Sequence, residues 1–538
     1  MSADDCIPTA EMPHTTRLFR EFAESGTSLP AELREYYAAA PQSDAWMHRP
    51  LSARHADAGA VADLLREQNQ RWGAGEKTLH NIALLAEGAR AVVTGQQVTL
   101  FGGPLYSLLK AATAVQRAQQ ASAQGTPHVP IFWLATEDHD FAEVNSVSFV
   151  NDRRVATVHL RDAPLQAVPV GGWAPGECLQ QSLAEVSAIL GEGFAADLLR
   201  ECYAPGVTLA DGFARLFLRL FADFGLIVMD ASGRGFHALA RPLLEQAITE
   251  SGPLHDALAA RGAQLTGAGY HAQVLVNESS SLLFLMDEAT DERAAVRRTS
   301  DGGFQAQGKP LSQLELLQIL TAAPERISPN ALLRPVMQDY LLPTAAYVGG
   351  PAEIAYFAQA QVLYEAMLGA TTPIVPRLSA TLVTPKVRRL LARHDLSVPR
   401  TWCSAEQLTL RLGARAMPIE AKQKLSDAGN ALHAELQALE SYATQLDEGL
   451  GHTAVAAGSK IRYQMNRLRR MMAKFELQRD TRLREQAETL AVWLYPDGIL
   501  QERKLAGVQF VAEQGPDLIA RLVSEAAEQC AGHRVIEL

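Results

Sequence analysis

The chain has 538 residues, 47% of them hydrophobic and 20% charged, with a formal net charge of −11. That composition excludes a disordered or fibrous protein, and the negative charge weighs against non-specific nucleic-acid binding. No apolar run approaches the roughly 18 residues that a membrane span needs. The opening MSADDCIPTAEM lacks the basic-then-apolar order of a secretion signal, so a cytoplasmic protein with no membrane partner is expected. Cys6, Cys178, Cys202, Cys403 and Cys530 are odd in number, far apart and without a CxxC, so neither disulfides nor a cysteine-rich zinc site is expected.

Residues up to about 90 read as helices, from Leu18, Phe19 and Phe22 to Leu79, Ile82 and Leu85. Ala91-Val92-Val93 then predicts a buried strand, broken by Thr94-Gly95-Gln96-Gln97 and again by Gly102-Gly103-Pro104. Leu105, Leu108, Leu109 and Ala112 fall at helical spacing, so a helix starts near Pro104. Such a strand–loop–helix lets backbone approach a ligand, and its helix N-terminus suits an anion. Neither GxGxxG nor GxxxxGK[ST] is present. The amides of Gln96 and Gln97 are costly to bury unless a ligand or a network uses them.

A second apolar strand, Val129 to Ala135, runs into Thr136-Glu137-Asp138-His139-Asp140. A strand buried on both faces belongs in a parallel sheet, whose C-terminal edge binds ligands. Asp138, His139 and Asp140 are therefore candidates to hold an amine or act as base, and flanking aspartates favour a charged His139. The alternative is a helix cap made by Asp138 or Asp140. His139 and Glu143 have ligand spacing, but no second histidine is near, so no metal is expected.

Residues 151 to about 222 read as an insertion. Gly225 to Asp230 is the third apolar strand. A second irregular block runs from about 237 to 340, with 273–276 and 282–286 as a hairpin-like pair. Arg334, Gln338 and Asp339 precede a fourth strand, Thr344 to Val348, which leads through Gly349-Gly350-Pro351 into a helix with Glu353 in its first turn. Tyr347 lies on that strand as a possible cleft residue. The fifth strand, Thr372 to Val375, ends at Arg377 and Ser379. Strands that alternate with helices and end in polar clusters predict a doubly wound parallel α/β sheet with all clusters on one crevice.

From about 418 apolar residues recur every three or four positions, interrupted at Gly449 and Gly451. The first arm is acidic and the second basic, which predicts an antiparallel coiled coil used for arm pairing or dimerisation rather than nucleic-acid binding. The tail, 491–538, is expected to dock back on the core. Its triplet Gln501-Glu502-Arg503 reads as surface, with a cleft-facing role as the alternative.

The strings TGQQVTLFGGPLYSLLK (94–110), FWLATEDHDFAEVN (132–145), LRPVMQDYLLPTAAYVGGPAEIAYFAQ (333–359), PRLSAT (376–381) and PDGILQER (496–503) resemble the BshC family over essentially the whole chain. These are the cysteine-adding enzymes of bacillithiol biosynthesis. The resemblance implies a Rossmann-like core with two connecting insertions (1–417) and a dimerising coiled coil (418–490). It also implies a ligase that joins cysteine to glucosaminyl malate through an amide. Asp138, His139 and Asp140 would be catalytic. Substrate would be bound by Thr94, Gly95, Gln96, Gln97, Gly102, Gly103, Glu137, Asn145, Arg334, Gln338, Tyr347, Gly349, Gly350, Glu353 and Arg377. ATP is the expected activator, although the HIGH and KMSKS strings of Rossmann-type synthetases are absent. The other functions weighed are a coiled-coil scaffold or chaperone, and a nucleotidyltransferase or tRNA-related enzyme using the basic arm.

Overall fold

Five runs of small and branched apolar residues pair in parallel: β1 (Arg90–Gln96), β2 (His128–Leu134), β3 (Ile227–Asp230), β4 (Thr344–Gly349) and β5 (Ile374–Pro376). The computed structural model that shows this describes residues 6–161, 164, 167–528 and 530–538. Spatial order is β5-β4-β1-β2-β3, so the chain reverses direction across the sheet between β1 and β4. This is the expected doubly wound arrangement, and its reversal point is where such sheets bind ligands.

Alternation along each strand explains why both faces are covered. Ala91 and Val93 join one core with Ile131, Met229 and Tyr347, whereas Val92 joins another with Ala346 and Val348. Helix α1 (Tyr106–Ser122) sends Ala114, Ala118 and Ala121 onto the second face. Helix α2 (Leu209–Leu220) covers Phe132 with a stacked pair, Phe213 and Phe217. Helices α3 (Arg234–Thr249) and α5 (Pro351–Leu368) cover the first face, and the short α4 (Arg334–Leu341) leads into β4.

The described residues form two compact units. The first runs up to Phe149 and adds Thr157–Thr381 and Glu502–Ile536. Its second insertion carries an antiparallel five-stranded sheet that includes Ser280–Met286, Arg293–Arg298 and Ile327–Pro329. The expected hairpin partner at 273–276 is not a strand. Ser280–Met286 pairs instead with Arg293–Arg298, while Val274 is held by the Gln359 side chain and Leu275 is exposed. Cys6 and Cys530 form a disulfide, against expectation. Distance along the chain misled, because the strand Cys6–Ile7 pairs with His533–Glu537 and brings the two sulfurs together.

The second unit contains the predicted antiparallel coiled coil, α6 (Ile419–Leu446) against α7 (Glu448–Arg479). The turn is made by Asp447, whose carboxylate caps α7 by accepting the Leu450 N–H at 2.8 Å. Gly449 and Gly451 do not interrupt the arms. They lie within α7, and a Cβ on Gly451 would collide with Thr444 of the other arm. Arg462 and Glu440 pair between the arms at 2.9 Å.

Candidate functional site

Strand register decides where the polar clusters meet. Gln96 is level with Leu134, Leu134 with Asp230, and Gly349 with Pro376, so the strands end along one edge. A cavity of about 690 Å³ opens there, across the reversal between β1 and β4. Gly95, Gln96, Gln97, Asp138, Arg334, Gln338, Tyr347 and Glu353, all expected from the sequence, line it.

Its floor is a connected set of charges. Lys110, buried on α1, donates from Nζ to the Gly95 carbonyl at 2.7 Å and Gln96 Oε1 at 3.0 Å, and pairs with Glu353 Oε2 at 2.6 Å. Burial depresses its pKa, only partly offset by Glu353. Glu353 also accepts the Tyr347 hydroxyl at 2.5 Å and caps its own helix through the Gly350 N–H at 2.7 Å. Gly349 and Gly350 make room for this hub, since a Cβ on Gly349 would press on Ile374 and Glu353. Gln96 Nε2 donates to the Tyr106 hydroxyl at 3.0 Å, so both ends of this amide are fixed.

Gln97 Nε2 donates to Asp138 Oδ2 at 2.7 Å, which joins the first polar cluster directly to the second. Burial raises the Asp138 pKa, but the Gln97 amide, the Asp140 N–H and the Arg334 and Arg293 guanidiniums outweigh it and hold the carboxyl below its ordinary range. Asp138, Trp133, Ala135 and Arg334 also line a smaller side cavity of about 160 Å³. Glu137 and His139 face that side cavity rather than the main one. Glu137 Oε1 lies 2.8 Å from Nε2 of buried His237. Burial lowers the His237 pKa, yet Glu137 more than offsets this and the net shift is upward. His139 Nδ1 lies 3.3 Å from Arg293 Nη1, and a guanidinium can only donate, so Nδ1 accepts.

Several expected site residues have other work. Asp140 is exposed and caps the short helix Phe141–Val144 through the Ala142 N–H, and Asn145 ends that helix. The Thr94 hydroxyl donates to the Val348 carbonyl at 2.8 Å and ties β1 to β4. Gly102 and Gly103 have φ of +85° and +70° and pack on Leu216 and Thr99, and neither lines the cavity. Arg377 lines the cavity, but its two terminal nitrogens fork onto Glu502 at 2.9 and 2.7 Å, so it is not available for a substrate carboxylate.

The descriptions of two family models match the chain: "Bacillithiol biosynthesis BshC, N-terminal Rossmann-like domain" over residues 5–378, and the "C-terminal coiled-coil domain" over residues 380–538. The chain belongs to the BshC family. A relative from Koribacter versatilis, named "Putative cysteine ligase BshC", is 41% identical, with 99% of each chain covered. One of the same name from Solibacter usitatus is 36% identical, again with 99% of each covered. A solved chain described as "putative arginyl t-RNA synthetase" from Campylobacter jejuni, at 9% identity over 87% of this chain and 98% of that one, has a TM-score of 0.24, too slight to bear on fold or function.

Within this BshC chain, sequence reasoning missed Lys110, Tyr106, Arg293, His237 and the full burial of Glu502. Lys110 ended a quoted motif and Tyr106 lay within it, so the pair were in view. Lys110 sits four residues after Tyr106 and has no acid in the sequence between Glu87 and Glu137, and only the fold supplies Glu353.

Proposed function

We propose that this chain is the cysteine ligase of bacillithiol synthesis, joining the carboxylate of cysteine to the amine of glucosaminyl malate as an amide. The relatives' name over the whole length is the observation that carries this reading. The cavity at the strand ends supports it with a size and polarity suited to small charged molecules. A free carboxylate does not acylate an amine unaided, so an activator must supply a leaving group. ATP fits the cavity in size and sign, with Arg334, Arg503 and Lys504 on its walls as the cations for an anionic cosubstrate. Bound there, it would supply an adenylyl or phosphoryl group to the cysteine carboxylate with release of pyrophosphate or ADP, and AMP or phosphate would leave as the amide forms.

The geometry supports three further assignments. Asp138, ionised and shared by both cavities, holds a cationic amine. Gln96, pinned by Lys110 and Tyr106, presents a fixed amide to substrate. His139 is positioned by Arg293 at the side cavity. Purified protein given cysteine, glucosaminyl malate and ATP is expected to form bacillithiol, and Asp138→Asn to lower kcat by about 100-fold. His139→Ala is expected to slow the reaction too. Absence of product with the wild type would overturn the assignment, and an undiminished His139→Ala would remove His139 from the mechanism.

We also propose that the coiled coil makes a homodimer. Leu439, Tyr442 and Leu446 on α6, and Ile461, Leu468, Met471 and Phe475 on α7, are all more than 40% exposed. Their spacing by three, four and seven forms apolar stripes of the kind that mark protein interfaces. Light scattering is expected to give a dimer mass for the wild type and a monomer for the Leu468→Glu, Phe475→Glu double variant. A wild-type monomer at micromolar concentration would exclude this.

A further inference from the structure

The side cavity holds a buried cation that makes no direct ion pair among the described residues. Arg293 is 8% exposed, and its hydrogen bonds go to Ser328 Oγ at 2.9 Å, the Pro329 carbonyl at 2.9 Å and His139 Nδ1 at 3.3 Å. Its guanidinium lies over Phe284, with Cζ 3.7 Å from the ring centroid. Among the described residues no carboxylate oxygen comes within 4.0 Å of Arg293 or Arg334, and both line this cavity. Burying a guanidinium without a direct ion pair is costly, and the charges of Glu137 and Asp138 offset the burial of Arg293 only in part, so the group points to an anionic ligand.

The same cavity carries negative charge as well. Glu137 gives Oε1 to His237, and its Oε2 has no hydrogen bond among the described residues. Asp138 is ionised at the boundary with the main cavity. Two cations and two anions around about 160 Å³ do not suit a diacid, whose second carboxylate would face Glu137 and Asp138. A nucleotide is excluded by size, since the space falls below the roughly 300 Å³ at which pockets for drug-sized ligands begin.

We propose that the side cavity is the subsite for a small zwitterionic α-amino acid, with its carboxylate between Arg293 and Arg334 and its ammonium toward Glu137 and Asp138. This deepens the ligase reading and rests on it for the identity of the amino acid as cysteine. Arg334 lines both cavities, so the carboxylate it holds faces the main cavity, where activation would take place. Glucosaminyl malate is left to the larger space.

Isothermal titration of the full-length protein tests this with five probes: L-cysteine, its oxygen isostere L-serine, cysteamine, 3-mercaptopropionate and L-malate. Cysteine and serine are expected to bind, and cysteamine and 3-mercaptopropionate about 10- to 100-fold more weakly, because each lacks one charged group. Malate is expected not to displace cysteine. Arg293→Lys, which keeps charge but loses the fork, is expected to raise KM for cysteine by a similar factor and leave KM for glucosaminyl malate unchanged. Equal binding of all three thiols, displacement by malate, or an unchanged KM for cysteine would each overturn the subsite. Charge-selective binding without ligation would keep the subsite and sink the ligase reading. Ligation with an unchanged KM in Arg293→Lys would do the reverse. Should that variant fail to fold, the wild-type probe series decides alone.

Discussion

Glu502→Gln is expected to lower the free energy of unfolding by about 3–5 kcal/mol, the range for breaking a buried ion pair from one side. Glu502 is 1% exposed and has no redundancy to lose. It accepts both terminal nitrogens of Arg377, the Ser379 hydroxyl at 2.9 Å and the Ala380 N–H at 2.8 Å. Glutamine would leave the Arg377 guanidinium buried without its counter-charge. Burial alone would raise the Glu502 pKa, but Arg377 dominates and holds it at about 2. Its stabilisation is therefore complete above the ordinary carboxylate value of 4.5 and drains away as pH falls toward 2. Neighbouring His533 adds an earlier step. Burial holds it at about 4, so stability is lost as pH falls from 6.5 toward 4, where the unfolded chain takes up the proton first. Urea titrations between pH 8 and pH 3 check both effects. A variant within about 1 kcal/mol of wild type at pH 8 would show that the pair contributes little.

Lys110→Met carries the second large effect, and here stability and activity separate. Removing the ammonium leaves Glu353 part-buried and Gln96 Oε1 without its donor. The expected loss is about 3–5 kcal/mol of stability and about 100-fold in kcat, because a displaced binding group is that costly to a reaction. In the Lys110→Met, Glu353→Gln double variant the charge imbalance is gone, so much of the stability returns. The rate does not return, since the Gln96 amide then keeps only its Tyr106 hydrogen bond and its oxygen end is no longer held. Thermal unfolding and steady-state kinetics on the two proteins measure this. Recovery of rate together with stability would mean that Lys110 serves folding alone.

The five core strands were readable because each is a nearly unbroken apolar run that stops at glycine or acid, and burial on both faces leaves that mark. Their shared edge followed from the fold class, and Gln97 meeting Asp138 is its direct result. Side-chain direction within a cluster was not readable. The chain turns as it leaves β2, so Glu137 and His139 face one cavity, Asp138 borders two and Asp140 faces solvent. Long-range charge pairing was equally hidden. Nothing in PRLSAT says that Arg377 already has an acid 125 positions later, and Gly102 resembles a ligand-binding glycine until Leu216 is seen against it. The disulfide escaped for the same reason, because its cysteines are 524 residues apart.

Because Leu382–Gln501 folds as part of a separate unit, Arg377 leaves the ribosome more than a hundred residues before its partner Glu502. During synthesis the nascent core thus carries a bare guanidinium, and the wall formed by Arg503 and Lys504 is not yet made. The cavity is then completed only after residues 502–504 have been made, so chains cut short before them would be inert and unstable rather than partly active.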